Sequence, residues 1–340
     1  MPLSRFFEDL IEGDYIETID GLMFAVKGLF HPKDRIIAYL RYVPDRHGER
    51  IRGDDHYRRM YDLDETTRLL DERFPRYVGY VPELGLKLQS VPIQDITKIY
   101  KSSERLYKLI LDPKTDLEKT VVGFASILSS KSDVSIECLG VTGSVLIGLA
   151  TKDSDIDLIV YGADASTRLY HVLPSLRDRV DRIRSYDEKT IEKVLHSRWS
   201  EPELDLKKLR YMEMRKLLHG MVGDRDYFIR LVKLPREVER EISSSPITKV
   251  KLRAIVASDH DAIFTPCTYG ISECRILESK EQYPISELKS FRGKFTEQSK
   301  LGEEIEAKGT LEKAIYPDRT VFRVVLGERG DYLVPTRMLY

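Results

Sequence analysis

"GSVLIGLATKDSDIDLIVYG", Gly143 to Gly162, sets two carboxylates, Asp155 and Asp157, one residue apart at the head of an apolar run. The run reads as a strand from Asp155 to Tyr161, ended by Gly162. Before it come a short helix over Val145 to Ala150 and the polar loop Thr151-Lys152-Asp153-Ser154. Side chains alternate along a strand, so Asp155 and Asp157 face one side, roughly 6.5 to 7 Å apart at their Cα atoms. Ile156, Leu158 and Val160 face the other side and supply core. Two carboxylates held together repel unless they share a positive charge. Magnesium suits them, because it takes one or two carboxylates and completes its shell with phosphate oxygens and water. The Gly143-Ser144 turn fits the same logic: glycine lets backbone N–H groups approach a phosphate, and the helix start favours negative charge. Taken alone, an Asp-x-Asp is more often a solvated strand end and Ser144 a plain N-cap. The two features together, at this spacing, favour a metal and phosphate site.

The bounds of the chain agree with that reading. At 340 residues it is too long for one ordinary core, so two or three domains are expected. Hydrophobic content of 41% and charged content of 33% describe a soluble protein. No apolar run approaches the roughly 18 to 20 residues of a membrane span, and the start Met1-Pro2-Leu3-Ser4-Arg5 is no secretory signal, so a cytoplasmic location is expected. Cys138, Cys267 and Cys274 form no CxxC pair and leave an odd count, which argues against a zinc site or a disulfide framework. The absence of asparagine and the abundance of ion-pairing residues fit a heat-adapted source. A net charge of −1 excludes a globally basic nucleic-acid coat but permits a local basic stripe.

Along the chain, residues 1–112 read as an α+β domain of unknown role. Strands are expected over Tyr15 to Ile19, Leu22 to Gly28 and Arg35 to Val43, the first two joined by an Asp20-Gly21 turn. A helix is expected over Asp64 to Arg73, and a polar stretch near Lys101 to Asp112 closes the region. Residues 113–245 form the central domain. Leu117, Val121, Phe124 and Leu128 share a helix face that Thr115 or Asp116 could cap. A β-like run covers Val134 to Val141. Helices follow over Ser166 to Val180 and Glu203 to His219, then a strand over Asp226 to Lys233. After a Ser243-Ser244-Ser245-Pro246 linker, residues 246–340 are β-rich, with strands over Lys249 to Val256, Glu304 to Leu311 and Val321 to Gly327, suggesting a small barrel or curled sheet.

The central segment resembles the polymerase-β-type nucleotidyltransferase superfamily, on Gly143, Ser144, Gly148, Ser154, Asp155, Ile156, Asp157, Leu158 and Val160, with residues 145 to 154 separating the serine from the first aspartate. The chain as a whole looks similar to an archaeal group of uncharacterised proteins that carry this domain. The resemblance implies an α+β architecture: a central mixed-sheet nucleotidyltransferase domain, flanked here by the N-terminal α+β domain and a small β-barrel-like C-terminal domain. It implies transfer of a nucleoside monophosphate from a nucleoside triphosphate to a hydroxyl, with two Mg²⁺ ions about 4 Å apart. Asp155 and Asp157 would touch metal, and Gly143 and Ser144 would hold phosphates. A third carboxylate, metal-binding and catalytic like the first two, falls on Asp226, with Asp224 as the alternative; the bland reading of Asp226 is a turn residue. Asp226, Phe228 and Arg230 share a strand face, so Arg230 could neutralise phosphate charge, or else form a surface ion pair. Lys152 is a second cation that could reach the nucleotide, its alternative being solvent.

Other candidates read as structural. His171, His196, His219 and His260 show no ligand spacing, and the basic stretch Arg177 to Arg184 alternates with Asp178 and Asp181 like a salt-bridged helix face. The C-terminal "GEEIEAKGTLEKAIYPDRTVFRVVLG", Gly302 to Gly327, resembles OB-type barrels, which leaves RNA or another nucleic acid as a candidate partner beside a purely structural role. Two functions compete: a magnesium-dependent nucleotidyltransferase, and a regulatory protein that binds nucleotide or nucleic acid without turnover. Oligomeric state leaves no trace in the sequence.

Overall fold

The computed structural model describes residues 10–180, 182–199, 204–277 and 281–337. These residues form a mixed α+β structure with several sheets, seven α-helices and 19 strands. They fall into two compact units, one drawn from the described residues of 10–82, 86–172 and 224–237, the other from those of 83–85, 173–223 and 238–337.

In the first unit, antiparallel pairing links β1 (Tyr15–Thr18), β2 (Met23–Val26), β3 (Arg35–Pro44), β4 (Arg50–Arg52), β5 (Asp55–Arg59), β6 (Val78–Val81), β7 (Leu86–Pro92) and β8 (Ile96–Tyr100). The main path runs β4-β5-β3-β2-β1-β8, with β7 and β6 branching from β3. Gly21 takes a left-handed φ of 73° between β1 and β2, as that tight connection requires. One sheet face packs Phe24, Leu40 and Val91 with Leu70 of α1 (Leu63–Arg73). The opposite face packs Tyr15, Met23, Tyr42 and Tyr57 against Leu146, Ile147 and Leu149, the segment that begins at the Gly-Ser turn.

α2 spans Ser102–Leu111, where a polar stretch is expected from composition. Its buried Leu106 and Leu109 explain the difference, since three-residue spacing puts both on one face. α3 (Asp116–Ser132) starts at a capping box: Thr115 Oγ1 accepts from Glu118 N at 3.1 Å, and Glu118 Oε2 accepts from Thr115 N at 3.2 Å. The β-like run over Val134 to Val141 shortens to β9 (Leu139–Val141), because a 3-10 turn occupies Ile136–Cys138. α4 (Gly143–Leu146), β10 (Ile156–Tyr161), α5 (Ala163–Arg179) and β11 (Arg225–Val232) follow. The helix expected over Val145 to Ala150 is thus earlier and shorter. β10 pairs antiparallel with β9 and parallel with β11.

In the second unit, helices Glu188–Arg198 and Leu206–Met214 share a core with a C-terminal sheet. The helix expected over Glu203 to His219 is shorter because His219–Val222 is a strand; Glu203 itself lies outside the described residues. No linker separates residue 246 from what precedes it: Ser243–Ser258 is one 16-residue strand, with Pro246 at a register shift. That strand pairs with both Cys267–Ile276 and Glu304–Ile315, so five strands close on themselves through Ile285–Ser290 and Thr320–Leu326. One pairing in that ring is parallel, Ile285–Ser290 with Thr320–Leu326.

A buried ion cluster ties this ring to the chain entering it. Arg323 grips Glu241 with two parallel bonds of 2.8 Å, and Lys289 Nζ donates to Glu241 at 2.5 Å. Burial opposes ionisation of Glu241, but the two cations outweigh it and hold the carboxyl down at about 2. The unfolded carboxyl therefore takes up its proton first as pH falls, and the stabilisation is lost between about pH 4.5 and pH 2. Glu241→Gln is expected to lower the unfolding free energy at pH 7 by about 2–3 kcal/mol. In urea titrations across that window, the deficit should shrink steadily with acidity.

Candidate active site

The site begins with a backbone constraint. Thr142 N donates to Asp157 O at 2.9 Å, so the turn leaving β9 is fastened to the strand beside it at the residue that carries the carboxylate. Gly143 then takes φ +66°, and a Cβ built there would stand 2.3 Å from Asp157 Oδ2. Only a residue without a side chain leaves that space to the carboxylate. Thr142 does not cap α4 with its side chain; its hydroxyl donates instead to Gly13 O at 2.6 Å. Ser144 follows, buried, in the first turn of α4.

Asp157 is half-buried and Asp155 exposed, just ahead of β10. Burial pushes the Asp157 carboxyl up from its ordinary value and the Asp155 charge adds to the shift, while Arg230, Arg59 and Arg41 act in the opposite direction. The parallel register matches Ile156 with Tyr227 and Asp157 with Phe228. Continued back by one residue, it sets Asp226 beside Asp155, on the face that carries Asp157. Asp226 is half-buried and Asp224 exposed. Among the described residues no three or more His, Cys, Asp or Glu side chains gather as a metal-binding group. The acids that converge are therefore the pair at 155 and 157, with Asp226 next to them by register.

Arg230 lies on the same face, on β11, and its guanidinium is engaged: it pairs with Glu12, which also accepts from Lys27 Nζ at 2.7 Å. Lys152 is exposed in the loop, where its carbonyl accepts from Arg225. That loop is also held by Arg50 of β4, whose Nη1 donates to Ser154 Oγ at 3.0 Å and to Leu149 O at 3.3 Å. Ser154 Oγ in turn accepts from Thr151 N at 2.8 Å. Arg105 of α2 braces α4 by donating to Val145 O at 3.2 Å.

Sequence reading does not find Arg41, Arg50, Arg52 or Arg59, because no motif marks them and their partners lie up to 104 residues away. Cross-strand pairing brings them in. Arg59 stands opposite Tyr42, and Arg50 opposite Tyr57, on the face that packs against the end of α4. A bulge in β3 skips Arg41, since Met23 pairs with Tyr42 and Phe24 with Leu40. Arg52 donates to Glu17, Tyr57 and Tyr100, and its stem passes Gly148.

His219 is buried beside Arg198, and burial followed by that neighbouring charge drives its pKa well down. The three thiols form no disulfide.

Comparison with known proteins bears on this geometry. The nucleotidyltransferase domain model matches residues 123–240, a span that contains the Gly143-Ser144 turn and all three aspartates. Residues 123–240 carry a nucleotidyltransferase domain. An uncharacterized protein of Methanocaldococcus jannaschii is 28% identical over 316 residues, covering 89% of this chain and 90% of the relative. No solved structure matches. No helix among the described residues is long and apolar enough to cross a membrane.

Gly143→Ala tests the central contact. A side chain at φ +66° costs about 1–2 kcal/mol from backbone strain alone, and the collision with Asp157 adds to it. The two residues should therefore be coupled: in an Asp157→Ala background the same glycine substitution should cost measurably less, as a double-mutant cycle of melting curves would report. Additive costs would show that the carboxylate does not occupy that space.

Proposed function

We propose that this chain is a divalent-metal-dependent nucleotidyltransferase that transfers a nucleoside monophosphate from a nucleoside triphosphate to a hydroxyl. The observation that carries the reading is the contact of Gly143 with Asp157: the Gly-Ser turn and the acidic strand lie too close for any side chain to stand between them. The donor set suits Mg²⁺, being two carboxylates with hard oxygens beside a turn that can present phosphate oxygens to the same ion. Asp155 and Asp157 would hold it, with Asp226 adding a third carboxylate. When bound, the metal supplies charge neutralisation of the leaving pyrophosphate and a more acidic attacking hydroxyl.

The chain's own groups do the positioning. Gly143 and Ser144 offer backbone N–H groups and a hydroxyl to the β- and γ-phosphates. Arg50 and Arg225 hydrogen-bond the loop from Leu149 to Ser154, and Lys152, exposed on it, would face incoming nucleotide. Arg230, oriented by Glu12, adds positive potential beside Asp157.

The acceptor belongs to the same reading. The ring of five strands closed with one parallel pair favours an OB-type barrel in residues 246–340, and with it RNA or another nucleic acid as acceptor. The division into 1–112, 113–245 and 246–340 is part of this proposal: the family match falls within the central segment, while the continuous strand Ser243–Ser258 crosses the second boundary. Cytoplasmic action is supported by the unpaired thiols. One observation favours a second reading, nucleotide binding without turnover: the described residues gather no three-acid group.

Incubation with each α-labelled nucleoside triphosphate and Mg²⁺, against RNA, protein and metabolite fractions, separates the two. Covalent label in one fraction, abolished by Asp157→Ala with little change in melting temperature, is the expected result. Magnesium-dependent nucleotide binding with label in no fraction would establish the second reading.

A further inference from the structure

Of the arginines that surround the acidic pair in the first unit, most are spent on protein partners. Arg50 holds the loop, Arg52 holds Glu17 and two tyrosines, and Arg230 holds Glu12. Arg41 and Arg59 are different. Neither guanidinium makes a hydrogen bond or ion pair with any described residue, although both are only partly exposed. Arg59 donates to Glu49 Oε1 through its backbone N–H at 3.3 Å, and its side chain lies over the ring of Tyr61 at 4.1 Å. Tyr61 is itself exposed and needs no such cover for its own sake.

Three independent features aim these cations at the site. The pairing of Arg59 with Tyr42 places it on the sheet face whose core includes Leu146 and Ile147. The bulge in β3 takes Arg41 out of the regular alternation, a device that re-aims a side chain. Both arginines act on the charge of Asp157. A half-buried guanidinium with no hydrogen-bonded anion is costly, and two that share the field of one carboxylate leave positive charge in excess. Their fork of donors matches phosphate oxygens.

We propose that Arg41 and Arg59, supplied by the N-terminal sheet, form a phosphate-binding wall of the Asp155–Asp157 site, with Tyr61 holding Arg59 in place. The inference rests on the nucleotidyltransferase reading and extends it to residues outside the matched domain. The phosphate comes either from the donor triphosphate or from the acceptor backbone, and the two sources are separable.

The test is calorimetric titration of the full chain with two probes, magnesium tripolyphosphate and a short single-stranded oligoribonucleotide. The proteins are wild type, Arg41→Ala, Arg59→Ala, the two Lys variants, and Arg58→Ala as a control on the opposite face of β5. Melting curves verify folding, and the Lys variants keep the test valid should an Ala variant unfold. Loss of about ten-fold or more in tripolyphosphate affinity for each Ala variant, partly restored by Lys and absent in Arg58→Ala, supports the proposal with the donor as source. The same loss confined to the oligoribonucleotide supports it with the acceptor as source. Wild-type binding of either probe with unchanged affinity in the Arg41 and Arg59 variants overturns the proposal and leaves the transferase reading intact. Binding of neither probe by wild type overturns both.

Discussion

The contact between Gly143 and the Asp157 carboxylate is the constraint on which the site depends. It fixes the distance between the Gly-Ser turn and the acidic strand, and under the proposed transferase reading that distance sets where a phosphate would be shared between them. The contact is made possible by the backbone bond from Thr142 to Asp157, which is an extension of the β9–β10 ladder. Sheet pairing, glycine geometry and site chemistry are therefore one arrangement. A change in any of them moves the other two.

That arrangement would be exposed on one side without the N-terminal sheet. Tyr15, Met23, Tyr42 and Tyr57 bury the apolar residues that follow Ser144, and Arg50 and Arg52 cover the loop and Gly148. The hydroxyl of Thr142 is turned away from α4 by Gly13, itself so close to Ile159 that a Cβ there would stand 2.4 Å from its Cδ1. The short helix thus gains its order from tertiary packing more than from its own four residues, as expected for a helix below nucleating length.

How much of this is legible in the sequence follows from the range of each interaction. The strand from Ile156 and the helix after Thr115 are written in local periodicity and capping chemistry, and so is the Gly-Ser step. Elements whose signal is mixed are misjudged. The stretch from Lys101 to Asp112 reads as polar because seven of its twelve residues are Lys, Arg, Ser, Glu or Asp, yet two leucines three residues apart suffice for a buried helical face. Ser243 to Pro246 has a linker's composition, but pairing with Glu312 to Ile315 makes it strand. Least legible are the arginines of β3 to β5, because their place at the site is decided by cross-strand register and a bulge. Neither leaves a mark in the local sequence.

Charge explains why Arg230 is not left to face substrate alone. It shares the interior with Lys27, whose ammonium burial and the neighbouring Arg230 and Arg41 lower to about 8 against the opposing pull of Glu12. Glu12 is fully buried and still held below its ordinary value, since Lys27 and Arg230 together outweigh its desolvation. The trio therefore carries one net positive charge, fixed in position, behind Asp157. Tethered to Glu12, Arg230 contributes potential without taking up the carboxylate oxygens. Those oxygens stay available to the face that Gly143 keeps open.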